Sequence, residues 1–459
     1  MNNLSSSFKD PSGFVFEREG IIYRQINQCY KDNYDMLMNS GLYERLVKSG
    51  KLIAHEETES FASQIGAYKV LKPRQVPFIS YPYEWCFGQL KDAALLTLRT
   101  QKEALSLGMN LKDATAFNVQ FIGSQPIFID TLSFEKYREG EPWVAYKQFC
   151  EHFLAPLALY AYTDNRLNKL SLVNIDGVPL DLAAKLLPLS AKFKPAIFLH
   201  IILHAKSQSR YAGSSLQSAK KSNFSKNAFL GLLDNLENFI KNLKWQGGKT
   251  VWTDYYDQEK CVSYDDAALT TKKELVVEYL DLIGTKKLWD VGANAGLFSR
   301  LAAEKNISVI SMDYDSTVIE QAYLRAKQQK NDKILSLVVD IVNPTPFIGW
   351  HNRERNSICS RSLPDTVLAL ALIHHLAIGK NLPFFMIAGF FADISDNLII
   401  EFVPKEDKQT QLLLQSREDI FEYYTIENFE FEFEKYFEIK AKKAITSSKR
   451  FLYLMRKKT

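Results

Sequence analysis

From Lys286 to Met455 the chain alternates short apolar runs with stretches of helical character. The runs are Leu288–Trp289 leading into Asp290, Ile307–Met312 ending at Asp313, Ile334–Val339 ending at Asp340, Asp365–Ile373, and Leu398–Phe402. Runs this apolar and rich in β-branched residues read as strands of a parallel sheet covered on both faces. Tyr436–Lys440 and Arg450–Met455 are two further strands.

The first half is patterned differently. Gly13–Ile26 alternates in places and turns at Glu19-Gly20, which predicts a β-hairpin. Asp32–Ser49 places Tyr34, Met38, Leu42, Tyr43, Leu46 and Val47 on one helical stripe. Leu52–His55, Tyr68–Leu71 and Val76–Ser80 are short strand candidates, and Trp85–Leu107 is a long helix. Val119–Ile122 and Ile127–Ile129 form a second hairpin around Gly-Ser-Gln-Pro. Val144–Tyr162, Leu180–Leu187 and Pro195–His204 are packed helices, and Ala228–Leu243 is an amphipathic helix leading into the last domain. Ala205–Asn227, rich in Ser, Gln and Lys, is the linker candidate. The division is residues 1–204, an α+β recognition domain; 205–227, a polar linker; and 228–459, a second domain.

Composition adds bounds. The 459 residues are 46% hydrophobic and 24% charged, the balance of a globular protein of two or three domains. A formal charge of +4 is too small to argue for nucleic acid. Cys29, Cys86, Cys150, Cys261 and Cys359 form no CxxC pair, which points to reduced thiols and a cytoplasmic protein. The amino terminus lacks a signal-peptide core, and no apolar run is long enough to insert in a membrane.

The chemistry concentrates at Lys286–Gly296, Lys-Lys-Leu-Trp-Asp-Val-Gly-Ala-Asn-Ala-Gly, where a strand meets a glycine turn and then a helix start. That order makes a nucleotide-type site at the carboxyl edge of a parallel sheet. Its pattern is Asp290, Gly292, Asn294, Gly296, and Leu297-Phe298-Ser299 stands where a dinucleotide fingerprint would carry its third glycine. Asp313 falls about 20 residues past the loop, where an acid meets ribose hydroxyls; the alternative is a helix cap near Thr317.

This stretch resembles motif I of the class I S-adenosylmethionine (AdoMet)-dependent methyltransferases, and the resemblance covers roughly Val251–Lys458. It implies an α/β fold with a Rossmann-like seven-stranded sheet closed by an antiparallel pair. It implies that AdoMet is held by Asp290, Gly292, Asn294, Gly296 and Asp313, with Asp340 at the adenine amino group and Ile341 on the ring. The segment before the first strand, with Trp252, Tyr255, Tyr256 and Tyr264, would cover the cofactor; packing onto the sheet is the other reading of those rings. The full length also resembles a bacterial methyltransferase family with nodulation-related members, including Asp-Pro-Ser-Gly-Phe-Val-Phe near the start and Ile-His-His-Leu-Ala-Ile-Gly later.

A second resemblance lies in Leu111–Phe134. Asp113, Asn118, a hairpin and then Asp130 resemble the catalytic segment of the protein-kinase and aminoglycoside-phosphotransferase fold, which would give Asp130 and Asn118 magnesium and Asp113 the acceptor hydroxyl. The departures are Lys112 before Asp113, Thr-Leu after Asp130, no glycine-rich phosphate loop near Gly13–Gly20, and only Arg24 or Lys69 for the strand lysine. A degenerate domain that binds a partner protein or substrate accounts for these better than phosphotransfer does.

Methyl transfer needs an aligned, deprotonated nucleophile. His374 and His375, at the carboxyl end of the fourth strand, are the first candidate bases, with His375 foremost, and Glu401 is the second. Adjacent histidines diverge on a strand or helix, which argues against a metal site. The fourth strand lacks an Asn-Pro-Pro-Tyr signature, which leans away from amines on nucleic acids and proteins and toward an oxygen on a small-molecule or glycan-type acceptor. The alternatives are a kinase-like phosphotransferase fused to a methyltransferase, and a non-catalytic interaction protein; intact Gly292, Gly296 and Asp313 count against the latter.

Overall fold

The computed structural model describes the chain except Met1, residues 60–65, 206–223, Gln246, residues 248–265, Ser416 and Thr459. Two compact units emerge. The first comprises Met1–Gln246 and Phe347–Asn356, the second Gly247–Pro346 and Ser357–Thr459.

The first unit opens with a five-stranded sheet of order β1-β2-β3-β5-β4: Asn2–Asn3, Gly13–Arg18, Ile21–Asn27, Ala67–Pro73 and His55–Glu57. β2 and β3 are the predicted hairpin, paired from Gly13↔Ile26 to Arg18↔Ile21. The predicted helix Asp32–Ser49 is two helices, Lys31–Asn39 and Leu42–Lys48. Gly41 stands between them at φ +78°, a left-handed conformation that ends one helix and starts the next. Val76–Ser80 forms no strand.

The helix Phe87–Ser106 is buried on most of its surface and leads to β6 (Met109–Leu111). β7 (Val119–Ile122) and β8 (Gln125–Phe128) make the second hairpin, and β9 (Phe134–Lys136) pairs with β6. The helix Lys226–Asn242, expected in the second domain, lies in the first unit. Its Asp234 and Glu237 pair with Lys102 of the long helix, and Lys241 and Leu243 carbonyls accept from Lys91. Its apolar stripe, with Phe229, Leu233, Leu236 and Ile240 buried, is covered too, and a stripe alone does not reveal which unit covers it.

The second unit is the expected Rossmann-like sheet. Its seven strands run β12-β11-β10-β13-β14-β16-β15. β10 (Lys287–Val291), β11 (Ser308–Asp313), β12 (Ile334–Val338), β13 (Thr366–Ala369) and β14 (Asn397–Phe402) are parallel. β16 (Phe451–Lys457) inserts antiparallel between β14 and β15 (Phe437–Ala444). One core joins Val276, Tyr279 and Leu280 of the helix Asp266–Ile283 to Leu288, Val309, Leu368, Ile399 and Leu452 of the sheet. The order reverses between β10 and β13, and in such sheets the crevice outside the strand ends at that reversal is where ligands bind.

One expectation changes here. β13 stops at Ala369, so His374 and His375 lie several residues past the strand. Their place is a turn that enters a short π-helix, His375–Gly379. The residues Val251–Asp265 lie outside the described residues, and the reading of Trp252, Tyr255, Tyr256 and Tyr264 with them.

Candidate active site

The loop from β10 to the helix Leu297–Glu304 has the geometry its sequence demands. Gly292 and Gly296 both adopt φ +72°, and Asn294 joins them at +52°. A Cβ on Gly292 would stand 3.3 Å from Leu372 Cδ1. The helix begins at left-handed Gly296 with no side-chain cap, and Asp290 takes the backbone N–H of Ser299 in its first turn.

Two buried acids frame this loop. Asp290 accepts the Ser299 hydroxyl at 2.6 Å, and burial raises its pKa to about 6 against the opposing Ser299 bond and Lys272 charge. Asp313 is also raised to about 6, chiefly by burial. Its Oδ2 accepts Asn294 N–H at 3.0 Å and its Oδ1 accepts Asp315 N–H at 2.9 Å. Tyr314 N–H also bonds this carboxylate, and with about four acceptor sites on its two oxygens it keeps acceptor capacity for a ribose hydroxyl. Helix capping falls to Asp315, which accepts Thr317 N–H at 2.8 Å. These residues fit AdoMet: left-handed glycines for close approach, and a desolvated carboxylate at the end of the next strand. Asp340 makes a turn at the end of β12, accepting Val342 N–H at 3.0 Å, and Ile341 beside it is half-buried.

At the other side of the crevice the histidine rings do not diverge. Their centroids are 4.1 Å apart, against the expectation that neighbours on a strand or helix point away from each other. His374 is fully buried, and neither ring nitrogen has a partner among the described residues. His375 is half-buried, and burial with the Arg450 charge lowers its pKa to about 4, so it is neutral at physiological pH. Glu401, the second candidate base, is engaged at both oxygens. Its Oε2 meets Lys272 Nζ at 2.7 Å and accepts Ala371 N–H at 2.9 Å, while its Oε1 meets Arg450 at 3.2 Å. The side chains of Glu401, Lys272 and Arg450 are all 0% exposed. A carboxylate held by two buried cations is a poor proton acceptor.

No protein-family model matches the chain. Nodulation protein NoeA of Rhizobium meliloti (strain 1021) is 36% identical over 458 residues, spanning 98% of this chain and 95% of the relative. The chain belongs to the NoeA family. Among solved structures, the N-methyltransferase NodS from Bradyrhizobium japonicum WM9 is 12% identical over 42% of this chain and 99% of that one, with a TM-score of 0.31. The bifunctional kinase-methyltransferase WbdD is 15% identical over 42% of this chain and 40% of that one, with a TM-score of 0.29. In this NoeA-family chain the strand order, the glycine loop and the acid after the second strand are the chain's own: the carboxyl-terminal unit is a class I AdoMet-dependent methyltransferase in fold.

The kinase-like constellation in the first unit of the NoeA-family chain is also assembled. Asp113 is half-buried, and desolvation with the nearby Asp130 charge raises its pKa while Thr115 N–H and the Asn118 side chain oppose the rise. Asp130, however, is occupied: one oxygen takes Arg24 and the other takes the Ser133 hydroxyl, and Asn118 donates to Ser133 at 3.0 Å. Among the described residues no group of three or more His, Cys, Asp and Glu side chains could hold a metal ion. A guanidinium already neutralises the carboxylate that magnesium would need, so the residues as arranged do not fit a nucleotide-bound magnesium. Calorimetric titration of the full-length protein with Mg-ATP is expected to give no saturable heat; a saturable isotherm lost in Asp130→Asn would overturn this.

The buried ion pair has a stability consequence. Lys272→Ala leaves Glu401 and its neighbours with an uncompensated charge in the interior, and removing one partner of a buried pair costs about 3–5 kcal/mol. Urea unfolding is expected to show a loss of that size, and a loss under about 1 kcal/mol, the level of an exposed pair, would show that water reaches the site.

Proposed function

We propose that this NoeA-family chain is an AdoMet-dependent methyltransferase acting on an oxygen nucleophile of a small-molecule or glycan-type acceptor. The observation that supports the reading is a buried carboxylate at the end of β11, Asp313, bonded to the left-handed glycine loop at Asn294 N–H, together with a neutral, half-buried imidazole, His375, past the end of β13. AdoMet, when bound, supplies an electrophilic methyl group on a sulfonium.

The chain supplies position and proton removal. Gly292 and Gly296 let the loop backbone approach the cofactor, and Asp313 would take a ribose hydroxyl. Asp340 and Ile341 would border the adenine. His375, uncharged and less buried than His374, would accept the acceptor's proton as the new bond to carbon forms. A hydroxyl needs such a base more than an amine does, because its own pKa is far above neutrality. The turn Leu370-Ala371-Leu372-Ile373, apolar where amine-specific enzymes carry polar signatures, supports the same acceptor class.

The amino-terminal unit is then a recognition domain, for the acceptor or for a partner protein. Among the described residues no helix is long and apolar enough to cross a membrane.

The test has two stages. Titration with S-adenosylhomocysteine should give a saturable isotherm, and its absence would sink the cofactor reading. Labelled AdoMet is then incubated with small-molecule and oligosaccharide fractions. Label recovered in an acid-stable ether supports oxygen transfer, whereas label on nitrogen would replace it.

A further inference from the structure

Immediately after β13 the backbone at Ala371 adopts φ +48°. That left-handed conformation is costly for a residue with a Cβ and persists only where surrounding structure enforces it. Ala371 N–H donates to Glu401 Oε2 at 2.9 Å. The same oxygen meets Lys272 Nζ at 2.7 Å, and Glu401 Oε1 meets Arg450 at 3.2 Å. Arg450 is fixed in turn by Asp407, at 2.7 and 2.9 Å through two nitrogens. Three elements thus converge on one carboxylate: Lys272 from the helix before β10, Glu401 from β14, and Arg450 from the residue before β16. Lys272 also lies over the Phe298 ring, 5.0 Å from its centroid, in the helix that follows the glycine loop.

What the turn carries is the candidate chemistry. Leu372 reaches under Gly292, and His375 N–H closes onto Leu372 carbonyl at 3.0 Å. The histidine pair therefore has its place only if the Ala371 turn has its shape.

We propose that Lys272, Glu401 and Arg450 are positioning residues for methyl transfer: they hold the left-handed turn at Ala371 and, through it, set His375 against the glycine loop. The inference rests on the reading of His375 given above. It also explains why two cations are buried on one carboxylate. A single cation would neutralise Glu401, whereas two fix both oxygens, so that the lone pair facing Ala371 N–H cannot turn away.

The test uses full-length protein with ring-labelled histidine, the His375 resonance being assigned by its loss in His375→Gln, and S-adenosylhomocysteine as probe. In Glu401→Gln the His375 signal is expected to move, and the further shift caused by the probe to shrink, while the probe still binds. Adding Ala371→Gly removes the backbone penalty, because glycine takes positive φ freely. The double variant E401Q/A371G is therefore expected to return the His375 signal toward its wild-type position. Ala371→Val, which leaves every ion pair in place but disfavours the turn, should displace the same signal, and it decides the matter if E401Q does not fold.

A His375 signal unchanged in folded E401Q or in A371V overturns the proposal. So does a displaced signal that A371G fails to restore, since Glu401 would then act on the histidine by some route other than the turn. If wild-type protein does not bind the probe at all, the methyltransferase reading beneath the proposal falls with it.

Discussion

Asp313→Ala is expected to lower the affinity for S-adenosylhomocysteine about 100-fold, with the protein remaining folded. Hydrogen bonds to a charged group contribute about 1.5–3 kcal/mol each, and each 1.4 kcal/mol is tenfold, so losing the acceptor of a ribose hydroxyl amounts to roughly one to two decades. The same carboxylate accepts Asn294 N–H, so part of the loss arises from a loosened loop. Burial has raised this pKa to about 6 from an ordinary carboxylate value of 3.8. The charged form that best accepts hydroxyl protons is thus complete above that point and is lost as pH falls through it. Affinity in the wild type should therefore weaken below about pH 6, and in the alanine variant this limb should disappear. Calorimetry from pH 5 to 8 checks both statements. Unchanged affinity would remove Asp313 from the ribose role.

The sequence made the centre of this site legible and left its surroundings dark. Asp290, Gly292, Asn294 and Gly296 are close in sequence, and their shape follows from local backbone preference, so the loop could be read directly. Asp313 followed from the length of one helix and one strand. The limits of β13 could not be read the same way, because Leu370–Ile373 is as apolar as the strand itself and only the positive φ at Ala371 ends it. Lys272 and Arg450 were invisible for a different reason. Each sits in a charged local stretch, Thr-Thr-Lys-Lys-Glu and Ser-Ser-Lys-Arg, that reads as a solvated surface. Their common partner, Glu401, is remote in sequence, and only the sheet order brings the three together. The first unit shows the converse. Asp113, Asn118 and Asp130 were found by spacing and do meet, yet spacing could not show that Arg24 had taken the metal's place beside Asp130.

His375→Ala is expected to reduce turnover by about 10²- to 10⁴-fold, the range for a positioned general base, while binding of S-adenosylhomocysteine changes little. The asymmetry matters because His375 is proposed to touch the acceptor's proton and not the cofactor. Its pKa is lowered from 6.5 to about 4, by burial first and the Arg450 charge second, so the base is in its working form across the whole neutral range. The acid limb of the turnover profile should accordingly lie near pH 4, and not near the 6.5 of an exposed imidazole. Stability follows the same shift. Between about pH 4 and 6.5 the unfolded histidine binds the proton that the folded one refuses, so this group makes the fold weaken as pH falls through that window. Turnover lost near pH 4 could therefore reflect unfolding, and the two causes separate in the variant: H375A abolishes the catalytic limb and removes this contribution to acid sensitivity. If H375A keeps wild-type turnover, His374 does not inherit the role as the structure stands, since it is sealed from solvent; the acceptor would then have to arrive already deprotonated or bring its own base.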